Sequence, residues 1–272
     1  MCIAAFSWLD HPFYSLILLQ NRDEYHSRPT KAVEWWEGGD ILGGRDELAG
    51  GTWLACSRSG RVAFLTNVLE RDVMLDAKSR GDLPVVFLKS EEGPKEFAEK
   101  LARDAHKYNG FNLVLADVVA RKMVYVTNRP AGEPITIHEV SPGTHVLSNA
   151  RLNSPWHKVQ RLRQGFKELL QKSKGGDEAG GGLPTKEMVE KLMRDQVKAD
   201  QNRLPKICSL DWEFGLSSIY VEVDTPLGCY GTRSTAIVTV EDDGKAVFYE
   251  KYLEDGIWKE KTVGYRVNKT RQ

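Results

Sequence analysis

Cysteine at position 2 is the residue whose chemistry stands out first. It follows Met1 directly, and a side chain this small permits removal of the methionine. Cys2 would then carry a thiol and a free α-amine on one residue. That is the arrangement of an N-terminal nucleophile, in which the amine acts as the base that activates the side chain. Asn21-Arg22-Asp23-Glu24 is the second polar cluster. Arg22 could lower the pKa of a nearby thiol, and Asp23 could hold an α-amine by a charge-assisted hydrogen bond. Asn67 and Asn149, each at the end of a strand-like run, could aim amide donors at a developing oxyanion. Arg233 lies inside an apolar strand, where a buried cation without an anionic partner is costly. Each feature also has a plainer reading. A free cysteine is most often a small buried hydrophobe, and an Arg–carboxylate turn at the surface contributes little stability.

The elements that must bring these residues together follow from periodicity. Cys2 to Trp8 and Tyr14 to Leu19 are apolar runs either side of Asp10-His11-Pro12, a hairpin pattern. The hairpin returns the charged tetrad to the neighbourhood of Cys2. A loop is expected from Tyr25 through Trp35-Trp36, followed by Gly43-Gly44-Arg45-Asp46 and Ala49-Gly50-Gly51-Thr52-Trp53. The paired glycines mark close backbone approach or positive φ. They could cradle an anionic group, although P-loop and dinucleotide spacings are absent. Residues 52–56 and 61–66 form a second hairpin pattern ending at Asn67. Helical spacing covers 84–88 and 97–105, then strands are expected at 111–118, 122–126, 135–140 and 145–147. A helix is expected over 155–170, a mobile loop over 172–183, and a short helix over 185–194. Strands at 218–223, 230–240 and 246–252 complete the chain. Strands and helices arriving in runs favour an α+β fold over a doubly wound one.

Composition narrows the function classes. The 272 residues carry 38 acidic and 38 basic side chains, so bulk charge argues for no nucleic-acid partner. Four scattered cysteines and six histidines show no metal-ligand spacing, although His145 and His157 could meet a haem iron. Few cysteines in a long chain fit a reducing compartment, and the cytosol is the expected location. No apolar run is long enough for a transmembrane helix, and the start lacks the basic region of a signal peptide.

Read in order, the motifs resemble those of the transport and Golgi organization 2 family, also called after its Asn-Arg-Asp-Glu motif. The resemblance rests on Met1-Cys2, the 21–24 tetrad, Arg28-Pro29, Gly44-Arg45-Asp46, Ala49 to Trp53, Leu65-Thr66-Asn67, Ser79-Arg80-Gly81, Leu147-Ser148-Asn149, Pro155-Trp156-Lys158 and Tyr230 to Arg233. It implies roles in Golgi organization and secretion, haem mobilisation, or lipid and acyl-CoA homeostasis, with Golgi or mitochondrial association. More remotely the family is similar to the N-terminal nucleophile hydrolases. That likeness implies a four-layer αββα sandwich of two antiparallel sheets flanked by helices, built as one domain over 1–272.

The same likeness implies catalytic positions at Cys2, Asp23, Asn67, Asn149 and Arg233. The position where these hydrolases carry an arginine three residues before the aspartate is Gln20, with Arg22 as the nearest cation. Two functions follow. A carrier would hold haem as cargo or an acyl-CoA-like ligand, with no cofactor required, through Asn21, Arg22, Glu24, Arg45 and Trp53; Arg22, Arg45 and Arg233 are the cations for phosphates. A hydrolase would cut an amide or thioester through an acyl-enzyme on Cys2.

Overall fold

The computed structural model describes residues 1–174 and 182–268. The first hairpin forms from its two continuous apolar runs, which are buried along nearly their whole length. Strands β1 (Cys2–Trp8) and β2 (Tyr14–Tyr25) are antiparallel, with Cys2 opposite Arg22 and Trp8 opposite Leu16. Both are apolar on both faces because the sheet is covered on both sides. Even-numbered residues (Ala4, Phe6, Trp8, Leu16, Leu18) enter the core between the two sheets. Odd-numbered ones (Ile3, Ala5, Ile17, Leu19) meet helices on the outer side.

The stretch expected as a loop after Tyr25 instead contains strands β3 (Thr30–Trp35) and β4 (Ile41–Asp46). Glycines hid β4: Gly43 and Gly44 are strand residues whose missing side chains admit neighbours. A Cβ on Gly44 would meet the Trp53 ring at 2.5 Å, and one on Gly43 would meet Leu54 O at 2.6 Å. Strands β5 (Leu54–Ser57) and β6 (Arg61–Asn67) form the second expected hairpin, turning through Gly60 at φ +81. Then come α1 (Asp82–Lys89) and α2 (Pro94–Leu101), which starts on a proline that needs no N–H partner. The helix expected to run on to Ala105 stops at Leu101.

Strands β7 (Phe111–Asp117), β8 (Lys122–Thr127), β9 (Thr136–Glu139) and β10 (Gly143–Leu147) follow, then α3 (His157–Lys174). The expected mobile loop starts inside α3, and its central residues, 175–181, lie outside the described residues. The short helix at Thr185–Glu187 continues as a π turn, Met188–Leu192. A further helical segment, Leu210–Gly215, was not expected from spacing. The strand expected at 218–223 begins only at β11 (Glu222–Thr225); Ser218 to Val221 are buried but irregular. Strands β12 (Gly228–Glu241), β13 (Lys245–Glu254) and the unexpected β14 (Ile257–Arg266) end the fold.

Two antiparallel sheets result. One runs β10-β1-β2-β12-β13-β14, with β11 beside β12, and the other runs β3 through β9 in sequence order. Helices α1 and α2 cover the outer face of the second sheet through Leu83, Phe87, Phe97 and Leu101. Helix α3 and the π turn cover the first through Val159, Leu162, Phe166 and Met188. The α+β class expected from the order of elements, and the αββα sandwich that the family resemblance implied, are the fold observed.

Candidate functional site

Sheet parity places the chemistry. Cys2 and Arg22 are register partners, so both side chains rise on the inter-sheet face. Position 20 shares that parity. Arg22 therefore stands on the face where a residue at position 20 stands, and neighbouring an oppositely facing Asp23 does not turn it away from Cys2. Gln20 itself reaches across the core and donates from Nε2 to Leu65 O at 3.0 Å.

Cys2 opens into a cleft of about 320 Å³ whose walls include Arg22, Asp23, Glu24, Trp53, Asn67 and Arg80. The Arg22 guanidinium lies 4.1 Å from the centre of the Trp53 ring and donates to Thr30 Oγ1 at 3.0 Å. Its charge is shared with Asp46 at 3.9 Å, while Arg28 Nε binds the same carboxylate oxygen at 2.8 Å. Gly51 permits the close approach that shapes the wall: a Cβ there would lie 2.4 Å from the Gly81 carbonyl carbon. Thr52 N–H donates to Gly81 O at 3.0 Å, which ties the Arg80 segment to this turn.

Behind Cys2 lies a buried polar chain that links the two sheets. Asn149 Nδ2 donates to Cys2 O at 3.3 Å and to Asn67 O at 3.0 Å. Its Oδ1 accepts from Lys158 Nζ at 3.0 Å, and Lys158 also donates to Leu216 O at 2.9 Å. The Asn67 side chain lines the cleft and makes no hydrogen bond among the described residues. Asp23 Oδ1 accepts from Thr232 Oγ1 at 2.7 Å, while Oδ2 is buried with no partner among the described residues. The α-amine in this structure belongs to Met1. It donates to Asp23 O at 2.7 Å and to the Tyr230 hydroxyl.

Burial dominates the electrostatics. It pushes the Cys2 thiol up, and the Met1 ammonium, the Asp23 backbone N–H and Arg22 pull it back. Burial raises the Asp23 carboxyl to about 6 against the Met1 ammonium, Lys158 and Thr232. It lowers Lys158 to about 8, opposed chiefly by Asp23.

The other residues expected at the site are placed elsewhere. Asn21 is fully buried beneath the first sheet, donating to Met193 O at 2.8 Å and Ile219 O at 3.1 Å and accepting from Thr235. Arg45 is exposed and lies over the Trp36 ring at 4.9 Å, outside the cleft. Arg233 points into a neighbouring cavity. Lys158, Thr232 and Arg80 were not singled out as site residues. A lysine on the apolar stripe of α3 was the available signal for the first. Of the histidines considered for haem, His145 has Nε2 bound to Ser141 O and Nδ1 beside Asn153, and neither it nor His157 lines the cleft.

Comparisons with known proteins show the family. The family model described as Transport and Golgi organisation 2 matches residues 1–255. The chain therefore belongs to the transport and Golgi organisation 2 family. It is 34% identical over 270 residues to the Transport and Golgi organization protein 2 homolog of Homo sapiens, covering 94% of each chain. It is 27% identical over 267 residues to Transport and Golgi organization protein 2 of Drosophila melanogaster, covering 93% of this chain and 92% of that one. Among solved structures it is similar to an N-acylethanolamine-hydrolyzing acid amidase ortholog of Caenorhabditis elegans, at 12% identity and TM-score 0.46, over 62% of this chain and 79% of that one. It is also similar to a mutant conjugated bile acid hydrolase of Clostridium perfringens, at 12% identity and TM-score 0.42, over 98% of each.

Proposed function

We propose that the Cys2 cleft binds an amphipathic acyl ligand with an anionic head, of the acyl-CoA class, and carries it without consuming it. The observation that supports this is the composition of one cleft. Arg22, Arg28, Lys78 and Arg80 face Asp23, Glu24 and Asp46, and Trp53, Leu65, Met74 and Leu75 supply an apolar wall. Cations meet phosphates or a carboxylate, and the apolar wall meets the chain. Haem is the alternative cargo. Its carboxylates would use the same cations, and Cys2 and Met74 are the soft donors in the cleft. An acyl ligand suits the cleft better because burial pushes the Cys2 thiol up, away from the thiolate that would hold a haem iron. No described helix is long and apolar enough to cross a membrane; on this reading, association with Golgi or mitochondrial membranes is through surface contact. With Met1 in place, the ammonium is spent on Asp23 O and Tyr230, and no amine stands ready to take the thiol proton.

A second reading, amide or thioester hydrolysis, is favoured by the unpartnered Asp23 Oδ2 and the free Asn67 amide. On that reading Met1 is first removed by hydrolysis, and Asp23 takes the new α-amine. The amine accepts the thiol proton, and the thiolate forms a bond to the acyl carbon. The leaving thiol or amine departs with that proton, and water then releases the acid from Cys2.

Intact mass of protein purified from cells, before and after incubation with palmitoyl-CoA, separates the two. The carrier reading expects Met1 retained, stoichiometric binding and no free CoA. Loss of Met1 together with a palmitoyl adduct that is absent from Cys2→Ala would replace the carrier with the hydrolase.

A further inference from the structure

A second cavity, of about 450 Å³, lies on the far side of Arg22 and Arg28, and both residues line both spaces. Its cations are Arg22, Arg28, Lys31 and Arg233, the last placed there by a β-bulge. Thr232 pairs with Asp23 and Ser234 with Arg22, so β12 carries one extra residue against β2, and that residue is Arg233. A bulge re-aims a side chain that a regular ladder would have sent elsewhere. Here it lets Thr232 serve Asp23 while Arg233 enters a different cavity.

We propose that this second cavity binds a phosphate group, with Arg233 as its anchor and Arg28 and Lys31 in its wall. Arg233 is 8% exposed, and its NH1 donates to two carbonyl oxygens, Tyr25 O at 3.1 Å and Arg28 O. Among the described residues no carboxylate lies within ion-pair distance of it. Carbonyls satisfy hydrogen bonds but supply no contact ion pair, and Glu24, Asp46 and Glu250 act on the charge only from a distance, which is costly in a buried site. A planar guanidinium offers five donors, and phosphate oxygens accept them in pairs.

Four acids also line this cavity, Glu47, Glu250, Glu254 and Asp255, and three of them have partners of their own. Glu250 Oε2 accepts the Val33 N–H at 2.6 Å, Glu254 pairs with Lys259, and Glu47 stands 3.9 Å from Lys31. Because Arg22 and Arg28 border both spaces, one extended ligand can place its phosphates at Arg233 and its acyl thioester at Cys2. For an acyl-CoA the inference rests on the reading of the Cys2 cleft; for a bare phosphate group it does not.

Calorimetric titration of the full chain with pyrophosphate, coenzyme A and palmitate tests this, using wild type, Lys31→Glu and Arg233→Gln. Lys31 is more than half exposed, so its variant reports binding even where Arg233→Gln fails to fold. The expected result is that pyrophosphate and coenzyme A bind wild type, that Lys31→Glu weakens both at least tenfold, and that palmitate affinity is unchanged. Unchanged pyrophosphate and coenzyme A binding in Lys31→Glu, or no binding to wild type, overturns the proposal. Loss of pyrophosphate binding in the variants with no palmitate binding to any protein would leave this site standing and remove the acyl reading of the Cys2 cleft.

Discussion

Cys2 and Arg22 face each other across the β1–β2 ladder, with the guanidinium 4.1 Å from the centre of the Trp53 ring. Burial and the nearby cations thus act on the thiol in opposite directions. Removing the cation leaves burial less opposed. Arg22→Gln is predicted to raise the Cys2 pKa further and to slow its alkylation at pH 8, about tenfold for each unit of rise. Labelling in a Cys208→Ser, Cys229→Ser background isolates the signal, because Cys56 is buried and raised to about 12. Equal rates with and without Arg22 would mean the guanidinium does not act on the thiol.

Lys158 gives a stability signature with a defined sign. Its folded value of about 8 lies below the ordinary 10.5, so between those values the unfolded chain binds the proton more tightly. Its unfavourable contribution is complete below pH 8 and is relieved as pH rises toward 10.5. At 1.36 kcal/mol per unit this is on the order of 3 kcal/mol. Urea unfolding at pH 7.5, 9 and 10 is predicted to show wild type gaining stability relative to Lys158→Met across that window. Parallel curves would show that the lysine is not depressed.

Asp23 carries the mirror-image burden. Its carboxyl is raised from 3.8 to about 6, so the folded chain binds the proton more tightly in that window. This contribution is fully present below pH 3.8 and lost as pH rises through 6. Asp23→Asn is predicted to gain on wild type by up to about 3 kcal/mol between pH 4 and 7. Asn retains an oxygen to accept from Thr232. A constant difference between the two proteins across this range would contradict the assignment.

The hairpin that carries Cys2 to Arg22 was legible because both of its strands are uninterrupted apolar runs ending at a polar tetrad. The pairing of Asp23 with Thr232 was not, because it depends on the bulge at Arg233, which no local pattern announces. Asn21 sits in the same tetrad as Arg22 yet serves the opposite face, as period-two alternation requires. Strand β4 was hidden by Gly43 and Gly44, whose purpose is close packing against Ala55 and Trp53 rather than a turn; β3 carries no glycine, and its ladder with β4 is interrupted between Lys31 and Glu34. Lys158 was masked by the apolar stripe around it on α3.

The glycines at the cleft should be intolerant for a packing reason. Gly51→Ala places a methyl within 2.5 Å of Gly81 backbone atoms, and Gly44→Ala places one against the Trp53 ring. Overpacking of this kind costs about 1–3 kcal/mol. Gly51→Ala is predicted to lower the thermal midpoint and to displace the Arg80 segment. Gly38→Ala, which meets nothing within 4 Å but sits at φ +94, controls for backbone strain alone. Gly51→Ala with a wild-type midpoint would show that the close approach is not maintained.

The central claim is that the cleft beside Cys2 holds an acyl ligand by its cations. Equilibrium titration with palmitoyl-CoA, comparing wild type with Arg80→Gln, tests it most directly. Arg80 lines this cleft and donates to Gly110 O at 3.0 Å; it does not border the second cavity. Saturable one-to-one binding that weakens several-fold in Arg80→Gln, with the ligand recovered intact, is the predicted result. No saturable binding by the folded wild-type protein would contradict the account.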